Sequence, residues 1–343
     1  MRKFLYLIIC MPLLLLTACN VHEWPETPEP TRLYLRLNYE TDMTIWEHLY
    51  VESSVVEQNL GETYDNHQEY GKIRYIVRTY PITEGQPRLQ DYVEEFVFTK
   101  DIAEGYDYEA TLDIQPGNYD ILVWSDLVES KDDEHFYNAY DFSEIMLQGD
   151  HHGNNNHRDA FYGKIDNVSL EYNNRSQDLD TIDITMKRPL AKFEIIANDL
   201  STFIESRPYS IDNQNTDNYK VRIQYTGFMP SAYSLFTGKP VDSSVGVIFE
   251  STLNRLSDTN ASIGFDYVFT SEKESSVTIR IGIYDSKGEQ VSLTEARKVD
   301  ASYEIGEEVT DEVIFAKFGR RAILNLRQTL ASKILELEKD SLY

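Results

Sequence analysis

Apolar and polar residues alternate with a period of two along much of the chain. Over residues 31–39, Leu33, Leu35 and Leu37 fall on one face, while Arg32 and Arg36 fall on the other. This alternation is typical of a half-buried β-strand, whose successive side chains point to opposite faces. Similar patterns predict strands at 72–80, 93–98, 108–114, 119–124, 168–172, 181–186, 191–196, 219–225, 263–270 and 276–284. The chain is therefore predicted to be mainly β.

Turn residues between these runs predict how the strands connect. Pro116-Gly117-Asn118 separates two alternating runs, and proline followed by glycine favours a tight turn. We therefore predict a β-hairpin over 108–124. Lys187-Arg188-Pro189 interrupts the alternation near the middle of the chain. Many short strands separated by turn signals are typical of β-sandwiches, so we predict two tandem antiparallel sandwich domains, at 31–188 and 189–317.

The end of the chain follows a different period. From residue 318 onward, apolar residues recur three or four positions apart, at Ile323, Leu326, Leu330, Ile334 and Leu337. This spacing predicts an amphipathic helical tail over 318–343. A helix that covers a sheet edge is favoured, and a helix that contacts a membrane surface or a partner is the alternative.

The first eighteen residues have the layout of a signal peptide. A cationic start, Met1-Arg2-Lys3, precedes an apolar run at 4–16 that is too short to span a membrane. Leu16-Thr17-Ala18-Cys19 resembles the lipobox of bacterial lipoproteins. That resemblance implies cleavage between Ala18 and Cys19 and acylation of Cys19, with fatty-acyl groups such as palmitate. A plain signal peptide or a buried N-terminal helix is the alternative interpretation.

Residues 19–30 are rich in proline and glutamate and predict an extended, solvated tether. Two or more acyl chains anchor a protein stably, so a tether at this position would hold the folded body off a membrane. The chain holds two cysteines, Cys10 and Cys19, and cleavage would remove Cys10. The mature protein is therefore expected to have no disulfide and to depend on its core for stability.

Composition and charge narrow the class of partner. The net charge is −26, which argues against nucleic acid because nucleic-acid binding requires a basic surface. The chain holds 24 tyrosines, and tyrosine is enriched in strands. The sequence favours a folded protein with an acidic surface, and it calls for no cofactor.

Three of the seven histidines lie close together, at His151, His152 and His157. Imidazole is a metal ligand, so these residues are weak candidates for a metal site. Their spacing matches no common zinc pattern, and Gly153 with the three asparagines after it favours a mobile, exposed turn. Residues 129–156 as a whole are polar, and we expect them to form a loop.

Catalytic signatures are not evident in the sequence. It contains no nucleophile elbow, no H-E-x-x-H motif, no phosphate-binding loop and no dinucleotide-binding fingerprint. The protein is therefore predicted not to be an enzyme. Asp180-Thr181-Ile182 resembles the O-glycosylation triplet of Bacteroides envelope proteins, which makes Thr181 either a modification site or an ordinary strand residue.

Three further segments carry a family resemblance: residues 158–163 (RDAFYG), 187–194 (KRPLAKFE) and 225–233 (YTGFMPSAY). Together with the lipobox and the tether, they resemble the fimbrillin-like lipoproteins of Bacteroidales, of the fimbrial-anchor type, and a related uncharacterised lipoprotein family. The resemblance implies two tandem transthyretin-like β-sandwiches. It also implies assembly with other fimbrillin-like subunits, in which a strand of one subunit completes the sheet of another. The predicted helical tail departs from members that donate a C-terminal strand.

The sequence therefore predicts a lipid-anchored protein of the outer membrane, exposed on the cell surface, that acts in adhesion or fimbrial assembly by accepting a strand. The alternative is a surface glycan-binding lipoprotein of a nutrient-uptake complex. Such a protein would present a platform of aromatic side chains. The candidates Trp24, Trp46 and Trp124 give that alternative little support, because Trp24 lies in the tether and Trp124 in a strand pattern.

Overall fold

The structure, a computed structural model, describes residues 30–39, 71–82, 91–133, 136–171, 180–197, 199–209, 211–271, 275–293, 297–301 and 320–324. These residues form twenty strands and a few short helices, which confirms the prediction of a mainly β protein. Among them, no helix is long and apolar enough to cross a membrane.

Eleven of the twenty described strands overlap the period-two segments of the sequence, and the other nine were not predicted. In chain order they are β1 (Thr31–Tyr39), β2 (Lys72–Pro81), β3 (Glu94–Asp101), β4 (Tyr108–Ile114), β5 (Gly117–Val128), β6 (Tyr137–Asn138), β7 (Ile145–Leu147), β8 (Ala160–Leu170), β9 (Asp180–Met186), β10 (Leu190–Ala197), β11 (Lys220–Tyr225), β12 (Met229–Ser234), β13 (Lys239–Ser244), β14 (Ile248–Thr252), β15 (Asn254–Arg255), β16 (Ala261–Phe269), β17 (Ser275–Tyr284), β18 (Gln290–Leu293), β19 (Arg297–Ala301) and β20 (Arg320–Leu324). Two short helices, α1 (Leu200–Glu205) and α2 (Ile211–Gln214), lie between β10 and β11.

In the N-terminal half, residues 30–188, a three-stranded sheet lies against a four-stranded sheet. The strand orders are β4-β1-β9 and β3-β2-β5-β8. Alternate residues of β1 point into the core between the sheets, so that Leu33, Leu35 and Leu37 are fully buried. Burial of a leucine side chain contributes about 1.5–3 kcal/mol, and this row fixes the register of β1.

The C-terminal half, residues 189–324, is built in the same way from two further sheets. Their strand orders are β15-β16-β10-β20 and β14-β11-β17-β18, with β19 also paired to β17. Apolar residues of both sheets form a second core, which includes Val221, Ile223, Ile263 and Ile281. Helix α1 covers one end of this core with its buried Leu200 and Phe203.

A fifth sheet, ordered β13-β12-β7-β6, takes strands from both halves. A third core lies beside it, where Trp124 and Tyr137 of the N-terminal half pack with Tyr233 and Phe269 of the C-terminal half. The expectation that 129–156 is a polar loop is therefore wrong at its centre. Isolated apolar residues there were too few to show a period, yet the C-terminal half provides the surface that buries them.

The predicted hairpin at Pro116-Gly117-Asn118 is also wrong. Strand β4 pairs with β1, and strand β5 pairs with β2 and β8, so the two strands belong to opposite sheets. The turn carries the chain across the sandwich rather than along one sheet. Of the three predicted turn residues, only Pro116 lies between the strands, because Gly117 and Asn118 begin β5. A turn sequence also does not specify which edges of the flanking strands find partners.

The helical tail predicted for 318–343 is wrong where the structure describes it. Arg320–Leu324 is a strand, β20, that pairs in parallel with β10 from Phe193 opposite Arg320 to Ala197 opposite Leu324. Five residues are too few to separate a period of 3.6 from a period of two, and the open edge of β10 decides the outcome. The rest of the predicted tail lies outside the described residues. The domain bounds and the transthyretin-like type of each sandwich stay predictions.

Candidate functional site

Two of the family-resembling segments meet as a buried ion pair. Asp159 follows a short 3₁₀ helix, Asn156–Arg158, that Asn155 caps through its side chain. Arg188 lies in the link between β9 and β10. Its Nε and Nη2 donate to the Asp159 carboxylate at 2.8 Å each, and its guanidinium lies 4.5 Å from the centre of the Phe161 ring. A bidentate pair that is stacked on an aromatic ring fixes the link in one orientation.

A second buried cluster lies beside the first and joins the two halves. Arg158 donates through Nη1 to Asp266, which lies on β16 of the C-terminal half. The other carboxylate oxygen of Asp266 lies 2.5 Å from His151 Nε2 and accepts a hydrogen bond from the Tyr225 hydroxyl at 2.5 Å. The side chains of Arg158 and Asp266 are at most 3% exposed. We call Arg158, Asp266, His151 and Tyr225 the junction network.

The junction network keeps Asp266 ionised despite its burial. Burial alone would raise the pKa of the Asp266 carboxyl, but the charges of His151 and Arg158 and the bonds from His151 and Tyr225 outweigh it. The net pKa of Asp266 is therefore below its ordinary value. Burial raises the pKa of the Tyr225 phenol well above its ordinary value, and the charge of Asp266 raises it further. Tyr225 therefore stays a hydrogen-bond donor.

The histidine-containing segment 150–158 is fastened to the C-terminal half. Asn154 exchanges two hydrogen bonds with the backbone of Phe265, at 2.8 and 2.7 Å. Lys192 of β10 donates to the Asn156 side chain at 2.6 Å. Gly153 lies so close to the Phe249 ring that a Cβ atom would be 2.2 Å from it. The expectation of a mobile, exposed turn is wrong, because its polar side chains find partners on β10 and β16.

The three candidate metal ligands do not converge. The His151 ring contacts Asp266, His152 is exposed, and His157 is partly buried. Among the residues that the structure describes, no group of three His, Cys, Asp or Glu side chains is placed to hold a metal ion. What the segment provides instead is an ion-paired contact between the halves.

A cleft of about 320 Å³ opens above the junction network. One wall is segment 147–152 and the other is segment 244–248, and Phe136 and Met229 contribute apolar surface. Val245 and Ile248 at its mouth are exposed. His151 and Arg158 line the cleft, but both are engaged with Asp266, whereas the exposed carboxylate of Asp150 also lies on its lining.

The open side of the N-terminal sandwich lies at β4. In the described part of the chain, β4 is an edge strand of a three-stranded sheet, while the opposite sheet has four strands. At the other edge, β9 lies close to β8, and the chain after it joins β8 through paired hydrogen bonds of 2.8 Å between Lys187 and Tyr162. On the opposite sheet, the outer strand β3 carries Phe96 and Phe98. Both side chains are half-buried and pack against the edge of the N-terminal core.

The remaining site predictions have different outcomes. Ala18 and Cys19 lie outside the described residues, so cleavage and acylation stay predictions. Thr181 is exposed on β9, on the same outward face as Asp183 and Thr185. The exposure of Thr181 makes it accessible to modification, but exposure does not test whether Thr181 is glycosylated. Glycosylation at Thr181 therefore stays a prediction.

The sequence interpretation missed Asp266, and it included Tyr225 only as part of a predicted strand and of a family-resembling segment. A signal for Asp266 was present, because it is the one charged residue in the apolar strand β16, whose nine residues are all buried. A charge in such a strand requires a partner. The sequence could not name that partner, since Arg158 lies 108 positions away.

The chain is therefore a protein of two β-sandwich halves, which share a sheet and a buried ion network. Residues 28–302 match a family of unknown function, DUF6562, and the chain belongs to that family. No curated protein matches the sequence.

Several solved structures are similar to the chain at low identity. One is a protein from Bacteroides ovatus described as a candidate adhesin, with 12% identity and a TM-score of 0.40 over 79% of this chain and 82% of that chain. Another is the fimbrial anchor protein Mfa2 from Porphyromonas gingivalis, with 12% identity and a TM-score of 0.35 over 77% and 82%. A third is the tip fimbrial protein Mfa3 from the same organism, with 10% identity and a TM-score of 0.37 over 80% and 83%. These are proteins of the kind named by the sequence resemblance.

Proposed function

We propose that the protein is a lipid-anchored cell-surface subunit of fimbrial or adhesive assembly, without enzymatic activity. In this proposal Cys19 holds it to the outer membrane, residues 19–30 space it from the lipid, and a partner subunit completes one of its sheets. The lipobox and the family resemblance support the location. The lack of enzymatic activity in this proposal rests on the sequence, which contains no catalytic signature.

The observation that carries strand acceptance is the open position beside β4. A strand added there would give the three-stranded sheet a fourth strand and would cover Phe96 and Phe98 on β3. Backbone hydrogen bonds to β4 would provide affinity, and alternate side chains packed over β3 would provide selectivity. Soluble proteins guard such edges, for example with lysine and proline, as Lys239 and Pro240 do on edge strand β13. No proline or lysine lies in β4.

A photo-crosslinking residue on intact cells tests this position. Thr111 is exposed on β4, and Arg222 is exposed on β11 in the C-terminal half, so the same crosslinker at Arg222 is the matched control. The proposal expects crosslinks to fimbrillin-like subunits from position 111 and none from position 222. Equal crosslinking from both positions, or none from 111, would overturn strand acceptance at β4.

The lipid anchor is tested separately. Cys19→Ser is expected to abolish incorporation of labelled palmitate and to release the protein from the outer-membrane fraction. Thr17→Ser, which changes the preceding lipobox region without removing the thiol, is the control and is expected to remain labelled. A Cys19→Ser protein that is still labelled would contradict the anchor.

The glycan-binding alternative has weaker support. Trp124 is fully buried in the shared core and is not available to a sugar-binding platform. Trp24 and Trp46 lie outside the described residues. Purification of the protein together with an outer-membrane transporter and its glycan-binding lipoproteins, in place of fimbrillin-like subunits, would favour this alternative over fimbrial assembly.

A further inference from the structure

The N-terminal half is closed by its first and last strands, which lie side by side and run in the same direction. Strands β1 and β9 pair in parallel over seven positions, from Leu33 opposite Asp180 to Tyr39 opposite Met186. The tether enters β1 at Thr31, and the link to the C-terminal half leaves β9 after Met186. Entry and exit therefore lie at opposite ends of one strand pair.

The C-terminal half repeats this arrangement. Its first strand, β10, pairs in parallel with β20, the last strand that the structure describes, over five positions. On its other side β10 pairs with β16, just as β1 pairs with β4. The two halves thus form a series, in which the chain enters each half along one strand of a parallel pair and leaves along the other.

This topology determines how the fold would respond to tension along the chain. When two parallel strands are pulled from the start of one and the end of the other, they slide past each other, and all their hydrogen bonds are loaded together. When both are pulled from the same end, the bonds are loaded one after another, as in a zipper. The first geometry requires several bonds to break at once and is therefore the stronger one.

Side chains reinforce β1 against sliding. Leu33, Leu35 and Leu37 are fully buried and would have to leave the core. On the β9 side, Arg36 Nε lies 2.8 Å from the Asp183 carboxylate. On the β4 side, the Tyr34 hydroxyl donates to Glu109 at 2.5 Å. Seven pairs to each neighbour hold β1, compared with five pairs between β10 and β20.

Hydrogen bonds and an ion pair also hold the segment that follows β9. The backbones of Lys187 and Tyr162 exchange two hydrogen bonds of 2.8 Å, and the next residue, Arg188, makes its bidentate pair with Asp159. The first contact fastens the link to β8, which belongs to the opposite sheet, and the second fastens it to the residue just before β8. Tension that leaves β9 is therefore borne by both sheets of the sandwich and not by the link alone.

From this arrangement we propose that the β1–β9 pair is a mechanical clamp, which holds the folded body on its membrane tether under load. The load path rests on the proposed function, because it begins at lipid-bound Cys19. The clamp itself is a property of the folded chain and does not depend on the lipid. Tension applied between the tether and the end of β9 loads the β1–β9 pair in the sliding geometry.

Single-molecule extension of the mature chain, with the N-terminus at Asn20 as one attachment point, tests the clamp. The second point is a cysteine at Thr181 in one variant and at Thr185 in the other. Both threonines are exposed on the same face of β9, opposite Tyr34 and Asn38 respectively. Because this chain lacks Cys10 and Cys19, each introduced thiol is unique. Attachment at 181 unzips β1 from its starting end, whereas attachment at 185 makes it slide.

We expect the force that detaches β1 to be higher for attachment at 185 than at 181, because the evenly spaced bonds of the parallel pair break together in the first case and one after another in the second. Equal forces, or a lower force at 185, would overturn the clamp. Circular dichroism and thermal melting of both variants establish that each is folded. Loss of palmitate labelling has no bearing on this result, so failure of the anchor and failure of the clamp are distinguishable.

Discussion

Arg158 and Asp266 lie 108 positions apart in the sequence and form a buried ion pair at the junction of the two halves. Arg158 ends the short 3₁₀ helix before β8 in the N-terminal half, and Asp266 lies within the apolar strand β16 of the C-terminal half. Neither charge could be buried alone without a large desolvation cost. Each half therefore presents a charge that only the other neutralises, and this relationship fixes how the two halves meet.

Asp266→Asn is expected to destabilise the protein by about 3–5 kcal/mol, because it leaves the Arg158 charge buried without its counter-ion. The measurement is the free energy of unfolding from urea denaturation. Glu250→Gln is the matched control. Glu250 pairs with Arg222 at 3.1 Å on the surface, where such pairs contribute at most about 1 kcal/mol. Similar losses in the two variants would contradict a special role for the buried pair.

The contribution of Asp266 to stability is expected to depend on pH. Its pKa is lower in the folded protein than in the unfolded chain, so it stabilises the fold above the unfolded value of about 4. That contribution is lost as pH falls through the folded pKa. The difference in unfolding free energy between the wild type and Asp266→Asn should therefore be largest at neutral pH and should shrink in acid. A difference that grows in acid would refute this assignment.

Asp126 should show the opposite sign. Burial raises its pKa although Arg74 donates two hydrogen bonds to it, at 2.9 and 2.6 Å. A raised pKa contributes stability below the unfolded value, and this contribution is lost as pH rises through the folded pKa. Titration of Asp126 by NMR is expected to give a pKa above the ordinary aspartate value. A value below it would contradict the prediction.

Gly163→Ala is expected to cost about 1–3 kcal/mol through overpacking. A Cβ atom at this position would lie 2.5 Å from Ile184 Cγ2 and 2.6 Å from Met186 Sδ, where β8 meets β9. Gly227→Ala is the control, because its nearest neighbours are 4.0 Å away. Thermal unfolding of both variants measures the difference. A Gly163→Ala protein as stable as the control would show that β8 and β9 can separate without cost.

Thr181→Ala is expected to remove a glycan if the Asp180-Thr181-Ile182 triplet is modified in the native host. The readout is the mass of the purified protein. Thr185→Ala is the control, since Thr185 is also exposed on β9 but follows Ile184 instead of an aspartate. Loss of a glycan mass, beyond the mass change of the substitution itself, in both variants or in neither would assign Thr181 to the role of an ordinary strand residue.

The sequence predicted strand positions more reliably than strand partners. The alternation at 31–39 matches β1 residue for residue, because the period of two directly reflects which side chains are buried. The break between β4 and β5 at Pro116 was also recognised, but the predicted hairpin was wrong. Backbone groups on both edges of a strand are equivalent in sequence, and their partners depend on distant segments. The short strand Ile145–Leu147 was missed because it has only three residues and one of its two partners, β12, lies in the C-terminal half.

The candidate site residues also divide into those recognised from local motifs and those whose role only the structure shows. Cys19 and Thr181 were selected from local motifs, and their roles remain predictions for experiment. His151, His152 and His157 were grouped because they are close in sequence, yet the structure directs only His151 to Asp266. Arg158, Asp159 and Arg188 were noticed as parts of family-resembling segments, without a physical role. The structure supplies that role as buried ion pairs.

By itself, the sequence determined the local features of this protein: the strands, the acidic surface, and the signal, lipobox and tether pattern at the N-terminus. The strands follow from the short-range alternation of apolar and polar residues, and the acidic surface follows from the net charge. The N-terminal pattern is read from a few consecutive residues. Only the tertiary structure decided that β1 pairs in parallel with β9, that β20 joins β10, and that Asp266 neutralises Arg158. Such pairings are chosen by the burial of apolar faces and charges against segments more than a hundred residues away, and no local pattern records that choice.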